Sequence, residues 1–237
     1  MNTLADITAQ VTGGGYPTEA LAPGGYAWLS VKVTPSSSAA GAVSYPVTLT
    51  AISQGDAAKR DVVAAVTTVP LTRQPDLKIR LLSEAAYVGD NLYNADGAGQ
   101  TKALTCLAGQ TAQYLFHAQN DGNTADRFTL TGPAGGGGWT VRYYEMNTLA
   151  DITAQVTGGG YPTGPLAPGG YAWLSVKVTP SSSAAGAVPY PVTLTAVSQE
   201  DAAKRDVVAA VTTVPLLYQP DAKIRLLSEA SYAGDNL

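Results

Sequence analysis

The 237-residue sequence has very few of the side chains that most often carry chemistry. It contains one histidine and one cysteine, which excludes a histidine–cysteine metal cluster and an intrachain disulfide. Charged residues make up 14% of the chain, well below the roughly 25% that is usual in soluble domains. The net charge is −4, and because nucleic-acid phosphates need a basic surface, we predict no nucleic-acid partner.

Long apolar runs are also absent. No stretch reaches the length of about 18 apolar residues that a membrane-spanning helix needs, so we predict no membrane span in this segment. Apolar residues nevertheless make up 45% of the chain, which argues against disorder. No nucleophile–base pair and no paired carboxylates can be named, so we predict that the protein is not an enzyme and holds no cofactor.

A near-exact internal repeat is the main feature that the sequence does contain. Residues 1–92 recur as residues 146–237 at a constant offset of 145, with ten substitutions. Solenoid repeats are roughly 20–50 residues long, whereas a period of 145 matches a whole domain. We therefore predict tandem domains with a 145-residue period.

Proline-containing segments mark the predicted boundaries between these domains. Val69–Asp76 and Val214–Asp221 each contain two prolines and no glycine, which is typical of a short, stiff linker. The boundaries give the C-terminal part of one repeat at 1–70, a complete repeat at 71–215 and the start of the next at 216–237. Two explanations of the incomplete first part remain open: the sequence is a window from a longer array, or strands of neighbouring chains complete the unit.

Alternation of apolar and polar residues with a period of two indicates β-strands throughout the repeat. The predicted strands are Leu77–Leu82, Leu104–Leu107, Ala112–Ala118, Arg127–Thr131, Trp139–Tyr144, Asp151–Val156, Ala172–Thr179, Tyr190–Ala196 and Asp206–Val214. Short strands separated by turns rich in glycine, proline and serine predict an all-β fold, an antiparallel β-sandwich.

Some of these strands carry more detailed predictions. Tyr114 and Phe128 are expected to face one core across a hairpin-like turn, and His117 is expected to face solvent. The segment Asp206–Val214 is apolar on both faces. Such a pattern fits a strand covered on both sides, or an edge strand that pairs with another chain.

An ordered series of turn and strand motifs resembles a known family. The series comprises Asn120–Phe128, Gly138–Val141, Leu166–Gly170, Val176–Pro180 and Val192–Ser198. It resembles the immunoglobulin-like β-sandwich repeats of large bacterial and archaeal extracellular proteins, of the broad CARDB and NPCBM-associated type. The resemblance implies tandem Ig-like domains, outside the cell or on its surface, that serve as spacers, stalks, surface-layer or adhesin modules. The stretch Leu82–Thr101 is not part of that pattern, and is the candidate for what is specific to this protein.

Two acidic loops are candidate calcium sites. One loop contains Asp90 and Asp96, and the other contains Asp121 and Asp126. Calcium takes about six to eight oxygen ligands, and clustered carboxylates supply them. The alternative is that these residues form turns by hydrogen-bonding to their own backbone.

Trp173 and its copy Trp28 are candidate interface residues. In the predicted strand Ala172–Thr179, Trp173 is out of phase with the inward-facing Leu174. A large aromatic side chain on the exterior could be buried at a subunit contact or stack on a sugar. Alternatively, a strand bulge or a covering loop hides it within its own domain. Trp139, which alternates with Val141, is predicted to lie in the core.

The leading hypothesis is a structural subunit of an extracellular fibre, stalk or surface layer that self-associates. Near-identical domains present the same surface repeatedly, so a contact made once can be made along the whole array. The alternative is an extracellular adhesin, or a module that binds carbohydrate or protein through its loops or through Trp173.

Overall fold

A computed structural model describes residues 5–218 of the chain. The chain divides into two compact units, Met1–Ser37 and Ser38–Leu237. The predicted start of a third repeat, 216–237, lies outside the described residues except for residues 216–218.

The first unit contains one short helix, α1 (Thr8–Gly13). Residues 14–37 form no helix or strand. Tyr26 and Trp28 make an edge-to-face contact, with ring centroids 5.3 Å apart, and both side chains are exposed.

The second unit begins with a hairpin of two antiparallel strands, β1 (Ser44–Ile52) and β2 (Arg60–Thr68). Ten further strands and one helix follow: β3 (Pro75–Leu81), β4 (Thr101–Thr105), β5 (Ala112–Asn120), β6 (Phe128–Thr131), β7 (Gly135–Gly136), β8 (Trp139–Glu145), α2 (Thr153–Gly158), β9 (Tyr161–Pro162), β10 (Tyr171–Pro180), β11 (Tyr190–Ser198) and β12 (Arg205–Thr213). These ten strands lie within the range 71–215 that the sequence predicts for a complete repeat.

The ten strands form two five-stranded sheets. The first sheet has the order β3-β5-β10-β8-β7, and the second has the order β4-β12-β11-β6-β9. Among the described strands, every pair is antiparallel except β4 with β12, which is parallel. The chain is therefore all-β, and its two sheets enclose one core as in a β-sandwich.

Regular alternation along the strands builds this core. Successive side chains of a strand point to opposite faces, so each strand presents one apolar row to the facing sheet. Tyr114 and Phe116 of β5 meet Phe128 of β6 and Leu194 of β11 in the core, and all four are fully buried. Burying one such side chain stabilises the fold by about 1.5–3 kcal/mol.

Most of the predicted strands are confirmed. The predicted Ala112–Ala118, Trp139–Tyr144 and Tyr190–Ala196 lie inside β5, β8 and β11. The segment Asp206–Val214 is a covered strand, because β12 pairs on both sides and buries residues of both faces.

The prediction of a strand at Asp151–Val156 is wrong, because this segment contains the helix α2. The Asp151 carboxylate accepts a hydrogen bond from the backbone N–H of Thr153, the first residue of α2, at 2.9 Å. Ile152 and Val156 are four residues apart and both are buried. This spacing places them on one face of a helix, and that contact with the core decides the local structure.

Two pairings also differ from expectation. Tyr114 and Phe128 do face one core, but β5 and β6 belong to opposite sheets, so the turn between them crosses the sandwich and forms no hairpin. The strand predicted at Leu104–Leu107 begins earlier, at Thr101, and pairs parallel with β12. Its direction follows from the long segment Leu82–Thr101, which carries the chain from one sheet to the other.

No helix within residues 5–218 has the length and apolar character needed to cross a membrane.

Candidate functional site

Two surfaces of the second unit are candidates for function. The first is the outer face of the sheet that contains β3, β5 and β10, and the second is the hairpin of β1 and β2. The first surface joins strands that are distant in sequence, whereas the second is formed by two consecutive strands.

Four aromatic side chains meet on the outer face of the first sheet; they are called the aromatic cluster below. His117 of β5 lies opposite Trp173 of β10 in the strand register. The imidazole is stacked between the rings of Tyr87 and Tyr171, with centroid distances of 4.1 and 4.2 Å. The ring of Trp173 meets it edge-on at 6.1 Å. His117 is thus on the outer face, as predicted, but two tyrosines cover it.

This environment keeps His117 neutral. Burial, together with the positive charges of Lys78 and Arg80, lowers the pKa of His117 to about 4. The guanidinium of Arg80 also lies 5.1 Å from the ring centroid of Tyr87. At neutral pH the cluster therefore contains an uncharged imidazole between two phenol rings, flanked by two cations.

Trp173 and Trp28 differ in exposure although they occupy equivalent positions of the repeat. Trp173 is partly buried in the aromatic cluster, and its indole Nε1 is buried with no hydrogen-bond partner. Trp28 is 86% exposed. In the cluster, Tyr171 is the ring that reaches solvent, with half of its surface exposed. Trp139, predicted to be core, is partly buried and stacks on Tyr190.

A charged cluster lies beside the aromatic cluster. The ammonium of Lys78 is 3.3 Å from Asp76 Oδ2 and also pairs with Asp90. The hydroxyl of Tyr93 donates a hydrogen bond to Asp121 Oδ2 at 2.9 Å. Lys78 thus places a positive charge among the carboxylates of Asp76, Asp90 and Asp121.

Burial and ion pairing both shift pKa values in this charged cluster. Burial raises the pKa of Asp76 to about 6, although a hydrogen bond from the backbone N–H of Asn91 opposes the shift. Burial alone lowers the pKa of Lys78, but its hydrogen bond with Asp90 and the charge of Asp76 outweigh that effect and raise the pKa. Lys78 is therefore charged at neutral pH.

The structure does not bring the four predicted calcium ligands into one group. Asp90 pairs with Lys78, and Asp121 accepts the hydrogen bond from Tyr93. Asp96 accepts a hydrogen bond from the backbone N–H of Ala98 in its own loop, as a turn-forming residue does.

The fourth predicted ligand, Asp126, is buried. Its carboxylate accepts a hydrogen bond from Ser198 Oγ at 2.6 Å and lies 3.4 Å from the guanidinium of Arg73. In the part of the chain that the structure describes, no group of three or more His, Cys, Asp or Glu side chains is arranged to hold a metal ion.

The segment Leu82–Thr101 supplies contacts that the sequence does not assign. It contributes Tyr87 to the aromatic cluster, and it contributes the backbone N–H of Asn94 and the side-chain amide of Gln100 as donors to Asp206. The one sequence feature that points to these residues is that the segment departs from the pattern of the resembled family.

The hairpin of β1 and β2 has nearly the sequence of β11 and β12 but a different environment. All residues of the hairpin are described, and none of them is buried. Val63 is 60% exposed, whereas its equivalent Val208 is fully buried. Val47 is 37% exposed, whereas its equivalent Val192 is 1% exposed. The same apolar side chains thus form a core in one copy and a bare surface in the other.

No family of known proteins matches the sequence, and no curated protein matches it. Among solved structures, the chain is similar to a protein of unknown function from Porphyromonas gingivalis, with 13% identity, a TM-score of 0.33 and coverage of 76% of this chain and 68% of that chain.

Two further similarities are to a tip adhesin and to a pilin subunit. The CupB6 tip adhesin from Pseudomonas aeruginosa has 8% identity and a TM-score of 0.37, with coverage of 68% of this chain and 52% of that chain. BcpA, the major pilin subunit of Bacillus cereus, has 10% identity and a TM-score of 0.33, with coverage of 71% and 48%. The chain spans about half the length of these two chains. TM-scores this low assign neither a family nor a function.

Proposed function

We propose that this chain is a structural component of an extracellular or cell-surface fibre, stalk or layer, built from near-identical Ig-like β-sandwich repeats with boundaries at 1–70, 71–215 and 216–237. The chain associates with itself and performs no catalysis in this role. The observation that carries the proposal is the contrast between the bare hairpin β1–β2 and its buried equivalent β11–β12.

The repeat supports this proposal through symmetry. Between 1–70 and 146–215 only five positions differ, at residues 19, 20, 44, 52 and 55 of the first copy. A surface presented in the same form by successive units can form the same contact again and again, which builds extended assemblies. The low content of charged residues, 14%, reduces repulsion between neighbouring copies.

The hairpin supports the proposal through its exposed apolar area. Val63 on the inner face of β2 is 60% exposed, and Val62 and Val66 on its other face are 53% and 64% exposed. A two-stranded hairpin is at best marginally stable in water without a partner for its apolar face. Large apolar side chains exposed on both faces of a hairpin favour protein–protein association.

Electron microscopy tests the proposed assembly. Antibodies raised against the chain are applied to surface material of the cells that produce it, and negatively stained specimens are examined for labelled filaments or ordered layers. Labelled, regularly repeating structures are the expected result. Labelled material that consists only of monodisperse particles, or label confined to the cell interior, would contradict the proposal.

A second candidate function is adhesion through carbohydrate or protein binding at the aromatic cluster. It is favoured by Tyr171, whose half-exposed ring lies on the stacked His117 with an interplanar angle of 18°. Exposed aromatic rings stack on the apolar faces of sugars. Glycan-array binding that is lost in Tyr171→Ala and kept in Tyr26→Ala would support this function, and an array with no bound glycan would exclude it for the sugars tested.

A further inference from the structure

The hairpin of β1 and β2 presents the same inner face that β11 and β12 bury. Between the two hairpins only Ser44/Pro189, Ile52/Val197 and Gly55/Glu200 differ. In the complete sandwich none of these three positions points into the core. The core-forming residues are therefore identical: Val192, Leu194, Ala196, Val208 and Ala210 correspond to Val47, Leu49, Ala51, Val63 and Ala65.

Residues 71–145 supply much of the cover of this inner face in the complete sandwich, and β10 contributes Leu174, Val176 and Val178 to the same core. Strand β6 pairs with β11, and β4 pairs with β12. The core is closed from the opposite sheet by side chains such as Leu77 and Ile79 of β3 and Tyr114 of β5, all fully buried. The Tyr114 hydroxyl donates to the carbonyl oxygen of Val211 at 2.8 Å.

Asp206 makes the polar part of the same contact. One of its carboxylate oxygens, Oδ2, accepts a hydrogen bond from the backbone N–H of Leu77 at 2.7 Å. The other, Oδ1, accepts hydrogen bonds from the backbone N–H of Asn94 at 3.0 Å and from Gln100 Nε2 at 2.8 Å. All three donors belong to residues 71–145. The carboxylate accepts one further hydrogen bond, from the backbone N–H of its neighbour Val207.

Asp61, the equivalent of Asp206, is exposed in the hairpin. Its carboxylate accepts a hydrogen bond from the adjacent backbone N–H of Val62 at 2.9 Å. Apolar face and carboxylate acceptor are both present, and both are complementary to residues 71–145. The only such segment in this chain already covers β11 and β12, so it does not serve the hairpin as well.

We propose that the hairpin β1–β2 is a docking surface for a β-sheet unit with the sequence of residues 71–145, which completes around the hairpin the sandwich that residues 71–215 form. We choose this unit as the occupant because the same molecule shows how residues 71–145 contact an almost identical hairpin, β11–β12. The proposal rests on the proposed assembly function, since it names the partner through which units join. Its test uses a single soluble chain, so its outcome does not depend on whether fibres form.

The experiment compares the 237-residue chain with an extended chain that carries a further copy of residues 71–145 directly before Met1. Glu145 then precedes Met1, as it precedes Met146 in the repeat. Hydrogen–deuterium exchange is followed by mass spectrometry on peptides that span position 52 or 55, because these peptides differ in mass from their equivalents in β11–β12. In the 237-residue chain the hairpin amides should exchange rapidly. In the extended chain they should slow at least about 100-fold, toward the rate of β11–β12.

Substitution of Asp61 tests whether docking uses the same contacts. Asp61→Ala should remove the added protection of the hairpin in the extended chain and should change nothing in the 237-residue chain. Asp56→Ala is the matched control, because the Asp56 carboxylate accepts a hydrogen bond from Ala58 within its own turn, and the equivalent Asp201 does the same with Ala203. It should leave the protection unchanged in both chains.

Four results would overturn the proposal. One is unchanged rapid exchange of the hairpin in the extended chain while β11–β12 stays protected. Another is protection that survives Asp61→Ala. A third is rapid exchange of both hairpins in the extended chain. An added copy of residues 71–145 that fits the hairpin β1–β2 should leave the sandwich around β11–β12 intact. The last is a concentration-dependent dimer of the 237-residue chain with protected hairpins, since the occupant would then be the hairpin of a second copy.

Discussion

The backbone N–H of Leu77 donates a hydrogen bond of 2.7 Å to the carboxylate of Asp206, which joins the two sheets of the sandwich. Leu77 lies in β3 of the first sheet and Asp206 in β12 of the second, 129 residues later in the chain. Both are fully buried, and burial raises the pKa of Asp206 despite the hydrogen bonds that its carboxylate accepts. A buried carboxylate is tolerated here because four N–H groups satisfy it.

Removal of this carboxylate should destabilise the sandwich strongly. Asp206→Ala leaves the N–H of Leu77 and the amide of Gln100 buried without their acceptor, at a cost of about 3 kcal/mol in the free energy of unfolding. The equivalent change Asp61→Ala should cost less than about 0.5 kcal/mol, because that side chain is exposed. Urea unfolding of both variants measures the difference, and equal effects would show that Asp61 is buried in solution.

The stacked imidazole should titrate far below its usual range. His117 is the one histidine of the chain, so its ring resonances are assigned without ambiguity in an NMR pH titration. The expected pKa is about 4, from burial and from the charges of Lys78 and Arg80. Arg80→Gln should raise that pKa, because it removes one of the two cations. A pKa near 6.5 in the unchanged chain would mean that Tyr87 and Tyr171 do not cover the ring.

Asp76 and His117 should affect stability in opposite directions as the pH falls. The pKa of Asp76 is raised from 3.8 to about 6, so between pH 6 and 4 the folded state takes up a proton before the unfolded state does, and stability rises. The pKa of His117 is lowered from 6.5 to about 4, so over this range the unfolded state is protonated first, and stability falls.

Thermal unfolding separates these two contributions. When the pH is lowered from 6.5 to 4, the Tm of Asp76→Asn should fall more, or rise less, than the Tm of the unchanged chain. Over the same pH range, the Tm of His117→Gln should fall less, or rise more, than the Tm of the unchanged chain. Parallel Tm curves for all three proteins would contradict both assignments.

The hydroxyl of Tyr114 should be needed for full stability. It is buried between the sheets, donates to the carbonyl oxygen of Val211 at 2.8 Å and lies 2.9 Å from the hydroxyl oxygen of Thr212. Tyr114→Phe should therefore lower the free energy of unfolding by about 1–2 kcal/mol. Tyr26→Phe, at a side chain that is 71% exposed, is the control and should have no measurable effect.

Calcium should not stabilise the protein. Among the described residues the four candidate carboxylates are separated by their protein partners, and Lys78 already supplies the cation beside Asp90. Differential scanning calorimetry with millimolar calcium and with a chelator should give the same Tm. A rise in Tm with calcium that Asp121→Asn abolishes would revive the calcium hypothesis.

Much of the fold could be predicted from local pattern, because alternation in a strand depends on neighbours in sequence. The clean alternation of Val192 and Leu194 predicts β11 correctly, and the double apolar character of Asp206–Val214 matches a strand covered on both sides. The helix α2 was not predictable in the same way, since Ile152 and Val156 fit a short helix only when the core accepts them on one face.

The candidate sites depend on contacts between distant segments. His117 alternates outward in any strand, but its low pKa requires Tyr87 from the segment 82–101 and Tyr171 from β10 to lie over it. Likewise, the sequence of the acidic loops predicted that their carboxylates bind calcium. In the structure, strand pairing places Lys78 beside Asp90 and Arg73 beside Asp126. Such pairs have no local pattern, because the residues involved are far apart in the chain.

The sequence by itself determined the repeat, through the recurrence of residues 1–92 at an offset of 145. It also determined the all-β character and the inward rows of most strands, since these follow from local periodicity. Only the tertiary structure decided which rows are buried. Val63 and Val208 stand in the same local sequence, yet one is 60% exposed and the other is fully buried. The physical reason is that an apolar side chain is buried only where a second surface packs against it. Residues 71–145 pack against the hairpin β11–β12 and not against the hairpin β1–β2.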